Sequence, residues 1–362
     1  MGQLAYKANA AATMQRLRSL YDRVALDQIF AVFELPSVAL AEFRREHPEP
    51  FCSYPDPRTR IRFWDEFLRE KAPLEDDSMP SAYLSEFDQG LYGGLVGGEV
   101  RFMAHSENGW ISSMVPPLLR NWSGLGSLSL AETSPWWQLY LDQLSHFTAG
   151  AMGRFGISHF ILIDSLNFAF ELVGATHTYL SLSEHSEAVR KAIEFAFHLN
   201  LKVQAAFFER VPLFEGGTFS NMVQWIPGRI ISESVDPFHM TSVACFEEWG
   251  REAVQRMFDR FDGGVLHLHG NGRHLLEAVS SLRGLKAVHM GDDRGFIPAS
   301  EILPDLRARA GTLPLVVNLE YPAFVHKLTS HELAGGILYR VQNTPGPSDA
   351  NRWMKSVRDY RV

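Results

Sequence analysis

The chain has 362 residues, 46 % of them apolar and 21 % charged, with a formal net charge of −8. That size admits one large domain or two, and the composition is that of a folded globular protein. The acidic balance argues against a nucleic-acid surface, which needs a positive face to replace the counterions of phosphate; the densest basic stretch, Arg58 to Arg69, is broken by Trp64, Asp65 and Glu66 and reads as a solvated helix face.

Two cysteines, Cys52 and Cys245, are too few for a disulfide framework or a four-cysteine zinc site. No uncharged apolar run reaches the roughly 18 residues of a membrane span. The first 26 residues interleave charge with apolar side chains, unlike a secretory leader. The chain is expected to be cytoplasmic, with no membrane and no nucleic-acid partner.

In chain order, residues 10–47 read as helical, with Leu17, Leu20, Tyr21 and Val24 near a 3.6-residue period. The Pro-rich 48–58 is loop, 60–71 is a helix carrying Phe63, Trp64 and Phe67, and 72–98 is loop-like. Its glycines do not form a GxGxxG fingerprint after a strand, which excludes a Rossmann reading. From there on, β-prone runs alternate with amphipathic helices. The strands are 158–163, 229–235, 263–268, 285–290 and 314–319; the helices lie near 184–209, 242–261, 272–283 and 299–310. Such alternation implies parallel strands joined by crossovers. The expected fold is an α/β (β/α)₈ TIM barrel with an N-terminal helical extension, divided as extension 1–98, barrel 99–340 and C-terminal tail 341–362. A doubly wound open sheet is the alternative.

The residues just past each strand carry the functional reading. Ile163 leads into Asp164, Val235 into Asp236, Leu266 into His267 and His269, Met290 into Asp292 and Asp293, and Leu319 into Glu320. In a (β/α)₈ barrel the strand C-terminal ends carry the active site, so these side chains would converge on one polar pocket.

The segment Val265 to Asp293, with the tetrad His267-Leu268-His269-Gly270, resembles the signature region of the uroporphyrinogen decarboxylase superfamily, whose strand ends in His-x-Cys-Gly or a related tetrad. The blocks 232–254 and 161–196 are similar to that family's preceding strand, loop and helix segments, and the resemblance covers about 160–320. It implies a barrel enzyme acting on a small organic substrate. That enzyme is a metal-dependent lyase or methyltransferase, a cofactor-free decarboxylase, or a corrinoid- or thiol-linked methyltransferase. A corrinoid protein partner and a homodimer are compatible with it. Two departures stand out. The N-terminal arginine motif of the true decarboxylases is missing, so the cations a polycarboxylate tetrapyrrole needs are not in place. His269 stands where the methyltransferases have a zinc-binding cysteine, and no cysteine follows Cys245, which excludes a thiolate-rich zinc site.

His267 and His269 lie two apart on a strand and so share a face, where two imidazoles can clamp a divalent metal, Zn, Fe or Mn. The bland alternative is that both only hydrogen-bond their surroundings. Asp164 is a candidate general base or the cap of the next helix. Asp236, His239 and Glu320 are further catalytic candidates, His239 as proton donor and Glu320 as ligand or base. Substrate contacts are expected from Trp110, His105, Asn271, His289 and Tyr321. A barrel without catalysis, serving only to bind a ligand, is the reading from another class.

Overall fold

Alternation of side chains along each strand sorts the chain into two cores, and the sheet lies between them. The computed structural model describes residues 4–130, 133–159 and 165–362. Six strands form a parallel sheet in the spatial order Ile29–Phe33, Ile337–Gln342, Leu315–Glu320, Leu285–Met290, Gly264–Leu268 and Ile231–Ser234. A second sheet of four runs Ser81–Tyr83, Gly156–Ser158, Gly217–Ser220 and Gln224–Pro227, and its last pair is antiparallel. A three-stranded antiparallel sheet (Phe51–Cys52, Arg101–His105, Trp110–Met114) stands apart from both.

Side chains bridge the seams between the two larger sheets. At one seam the edge strand donates from Ala31 N to Asp77 Oδ2 (3.0 Å) and from Phe33 N to Asp76 Oδ2 (2.8 Å). At the other, Ile230 N donates to Thr218 Oγ1 (3.1 Å), Ser232 N to His159 Nε2 (3.1 Å), and Ser220 Oγ meets Ser232 Oγ at 3.2 Å. These contacts answer edge N–H groups that would otherwise be buried unpaired. The architecture is an α/β fold of barrel-like form.

Leu266, Leu268, Val288, Met290, Leu315, Val317 and Leu319 point outward into the large core shared with the helices. Their neighbours Val265, Ala287, Val316 and Leu338 point the other way and meet Phe30, Val32 and the helix Ala10–Tyr21, whose Leu17 and Leu20 join that inner cluster. Strands buried on both faces read as continuous apolar runs, as parallel strands do.

The N-terminal region is therefore more than a helical extension. Residues 10–47 contain the strand Ile29–Phe33, which pairs with Ile337–Gln342, and the loop-like 72–98 contains Ser81–Tyr83, which pairs with Gly156–Ser158. Ile29-Phe30-Ala31-Val32-Phe33 is buried throughout, so it shows none of the polar alternation by which a strand announces itself. The boundary at 340 falls inside the strand Ile337–Gln342, and of 341–362 the helix Pro347–Asp359 packs against Ile29–Phe33. The expected strand 158–163 is described only as Gly156–Ser158 and His159; the rest lies outside the described residues. The basic stretch is not wholly solvated either. Arg60 is buried, pairs with Glu86 and donates to Gly109 O at 2.8 Å. No helix among the described residues is long and apolar enough to cross a membrane.

Asp76 also accepts from the buried ammonium of Lys7 at 3.0 Å and from Ser78 N at 3.1 Å. Replacing it leaves a buried charge and an edge N–H uncompensated. Asp76→Ala is expected to cost about 3–5 kcal/mol in urea unfolding; a loss under about 1 kcal/mol would show that the seam does not depend on this carboxylate.

Candidate active site

Toward the C-terminal ends of the strands the inner face changes from apolar to polar. Two residues beyond Val265 stands His267, beyond Ala287 His289, beyond Val316 Asn318, beyond Leu338 Arg340, and beyond Val32 Glu34. Because strand side chains alternate, each of these shares a face with the inner core residue before it. The ladder sets His267 directly beside His289.

These side chains join into one chain of contacts. Glu34 Oε1 accepts from Arg340 Nη2 at 3.0 Å, and Arg340 Nη1 lies 3.4 Å from His289 Nε2. His289 Nδ1 lies 3.0 Å from His267 Nδ1, His267 Nε2 lies 3.2 Å from His269 Nε2, and His269 Nδ1 lies 2.9 Å from Asp293 Oδ1. The two ends dictate the proton positions. Arginine only donates and carboxylate only accepts. His289 Nε2 therefore accepts from Arg340, and its Nδ1–H donates to His267 Nδ1. His267 Nε2–H then donates to His269 Nε2, and His269 Nδ1–H donates to Asp293.

All three rings are thus neutral along one consistent path. Burial, reinforced by the neighbouring imidazoles and Arg340, pushes His289 well below its ordinary value. Burial, with His269 and His239 beside it, lowers His267 to about 3. Burial also opposes the charge on Asp293, but the hydrogen bonds from Gly270 N–H (2.5 Å) and His269 outweigh it and hold this carboxyl below the usual range.

Asp236 and His239 stand on the short 3-10 turn Asp236–Met240 that follows Ile231–Ser234. Asp236 Oδ1 lies 3.5 Å from His239 Nδ1 and 3.9 Å from His269 Nε2. This oxygen and His239 Nε2 are both buried without a hydrogen bond. Burial raises the Asp236 carboxyl and lowers His239 to about 3. Gly272 permits the arrangement: a Cβ there would come within 2.2 Å of the His239 ring. Arg273 pins the loop that carries Asp293, donating to Gly291 O and Asp292 Oδ1, each at 2.9 Å.

The structure therefore brings together His267, His269, His289, His239 and Asp236 from the sequence-based candidates. Asp164 lies outside the described residues. Glu320 is exposed and accepts from Asn343 Nδ2 at 2.9 Å. Asn271 is exposed in the turn Gly270–Leu275, and its carbonyl accepts from His274 Nδ1 at 3.1 Å. Tyr321 Oη accepts from Trp353 Nε1 at 3.1 Å, which ties down the final helix. His105 meets Ser112 Oγ at 2.6 Å across its hairpin. Trp110, on the same hairpin, stands edge-on to Tyr83 with centroids 4.8 Å apart, and both line a cavity of about 230 Å³ that also touches Glu34, Lys71 and Arg340. Sequence reasoning missed Arg340, Glu34 and Lys71. The available signal for Arg340 was a lone arginine inside the apolar run Ile337 to Val341. Among the described residues, no three His, Cys, Asp or Glu side chains are grouped closely enough to hold a metal ion as they stand.

A barrel-like α/β chain with an imidazole and carboxylate cluster at its strand ends is the class that fold and site define. Among solved structures, the chain is similar to a methyltransferase from Methanosarcina mazei, with a TM-score of 0.61 and 13 % identity over 96 % of this chain and 98 % of that one. At that identity the likeness concerns the fold. No protein-family model and no curated protein sequence matches the chain.

The depressed basicity of the buried imidazoles sets the direction of the pH dependence. Below about pH 6.5 the unfolded chain takes up protons that the folded His267 and His289 refuse, so stability falls as pH drops toward about 3. In chelator-treated protein, ¹⁵N shifts of both rings should keep their neutral values from pH 8 to pH 5. A titration midpoint near 6.5 for either ring would contradict the described hydrogen-bond path.

Proposed function

We propose that the chain is a methyltransferase-type barrel enzyme that holds a divalent metal through His267 Nε2 and His269 Nε2, with Asp236 as the third ligand. The observation that carries this reading is the 3.2 Å separation of the two Nε2 atoms. Two imidazoles bound tetrahedrally at about 2.0–2.1 Å from one ion have nitrogens about 3.3 Å apart.

The surroundings fit such an ion. Asp293 on His269 Nδ1–H is the carboxylate–histidine pairing that orients metal-bound imidazoles. His267 can turn its remaining proton to Nδ1 and donate to His289, and Arg340 keeps Glu34 as its partner. The buried, unbonded Asp236 Oδ1 lies 3.9 Å from His269 Nε2 and would supply the oxygen by closing on the pair, since no three such groups stand close enough to hold an ion among the described residues. The set is two nitrogens and one oxygen, with no thiolate, which suits Zn, Fe or Mn. When bound, the ion supplies Lewis acidity and lowers the pKa of a thiol or hydroxyl coordinated to it. The protein's own groups do the rest: Asp293 fixes the orientation of His269, His239 beside Asp236 is the group that would take the acceptor's proton, and the closed inner core below excludes water. The methyl donor, such as a corrinoid protein, would approach the open mouth.

A cofactor-free lyase is the second reading. It is favoured by one fact: the hydrogen-bond path from Arg340 to Asp293 is complete without an ion. Elemental analysis separates the two. The metal reading expects close to one equivalent of Zn, Fe or Mn in the wild-type protein and a loss of at least about tenfold in affinity in His267→Ala and His269→Ala. A wild-type chain that binds none of these ions after reconstitution would sink the metal and leave the lyase.

A further inference from the structure

We infer that the cavity beside the imidazole chain binds a small aromatic acid, its carboxylate held between Lys71 and Arg340 and its ring set against Tyr83 and Trp110. This names a substrate class for the site proposed above and rests on that reading.

Two donors on the cavity wall lack acceptors. Lys71, just past the helix Pro57–Glu70, lines the cavity, and its Nζ lies over the Phe67 ring at 4.0 Å from the centroid. Among the described residues its ammonium makes no hydrogen bond and no ion pair. The other basic groups lining the cavity are committed elsewhere. Lys7 pairs with Asp76 at 3.0 Å, and Arg340 pairs with Glu34 at 3.0 Å. Glu107, at the rim, is exposed and stands 3.6 Å from His105. Among the described residues, Lys71 is thus the lining lysine or arginine without a hydrogen-bonded or ion-paired carboxylate, with Glu34 acting on it only at longer range. Arg340 adds a second open valence, because its Nε–H is buried and has no acceptor. Burial lowers the pKa of Lys71 from its ordinary value, against the pull of Glu34, which is the strain an incoming anion relieves. A carboxylate, with lone pairs for both donors, satisfies the two at once.

Size and lining set the rest of the ligand. A cavity of about 230 Å³ is smaller than the roughly 300–1,000 Å³ that holds a drug-sized molecule. The lining also includes Tyr83 and Trp110, already edge-to-face, which offer flat apolar surface to a ring. Arg340 also touches His289, so a ligand bound to it lies one imidazole away from His267. The cavity thus adjoins the imidazole chain at Arg340, while His267, His269, His239 and Asp236 stand outside its lining.

The test is calorimetric titration of the full chain with benzoate, phenylacetate and 3-phenylpropionate, each beside its carboxamide. At least one acid is expected to bind at least about tenfold more tightly than its amide, and Lys71→Met to remove that margin. Trp110→Ala is expected to weaken acid and amide alike. The inference is overturned if no acid outbinds its amide, or if Lys71→Met, melting like the wild type, binds the acid unchanged. Metal content of the same preparations separates the two failures. A chain that holds metal but ignores the acids sinks this inference alone; one that binds acids and never metal sinks the metal reading alone.

Discussion

Three imidazoles in line, closed at one end by a guanidinium and at the other by a carboxylate, are the constraint around which this protein is arranged. Each ring nitrogen of His289, His267 and His269 has a partner, and the two end groups leave a single self-consistent set of protons. The stakes are high because the groups are buried. An unmet buried donor or acceptor costs about 1–3 kcal/mol, and a charged ring would cost more. Neutrality is also what chemistry at this place requires, since only a neutral imidazole offers a lone pair to a metal or a proton.

The sheet makes that line possible. Parallel pairing sets His267 beside His289, and the same register brings Arg340 beside Asn318 and Val32 on neighbouring strands. Below this level the inner face is filled by Val265, Ala287, Val316 and Leu338, plugged by the helix Ala10–Tyr21. On the strands from Gly264 to Gln342 the inward polar groups thus gather at the C-terminal ends, where α/β folds place their sites. The connecting loops then fix what the strands cannot. Arg273 holds the loop of Asp293, and Gly272 makes room for His239.

Much of this was legible in the sequence, and the remainder was hidden for physical reasons. The runs 263–268, 285–290 and 314–319 stood out because β-branched residues sit between polar helices, and their polar successors pointed to the strand ends as the site. His267 and His269 could be paired on one face from the two-residue period alone. Ile29–Phe33 could not be found this way, because it is apolar on both faces and flanked by helices; Ser81–Tyr83 spans only three residues. Missing the first strand concealed Glu34, and ending the barrel at 340 concealed that Arg340 stands inside a strand. Lys71 closes the expected helix 60–71 and carries no signal of its own in the sequence; only the packing shows that it faces a cavity. Glu320 failed to join the cluster for the opposite reason: its strand position was readable, but its reach was not.

The most direct measurement is X-ray absorption at the zinc edge on protein reconstituted with one equivalent of Zn²⁺. A metal held by His267, His269 and Asp236 gives a shell of nitrogen and oxygen scatterers with the multiple-scattering signature of two imidazoles, at about 2.0–2.1 Å. A shell containing sulfur at about 2.3 Å, or zinc that washes away with no imidazole signature, would contradict it.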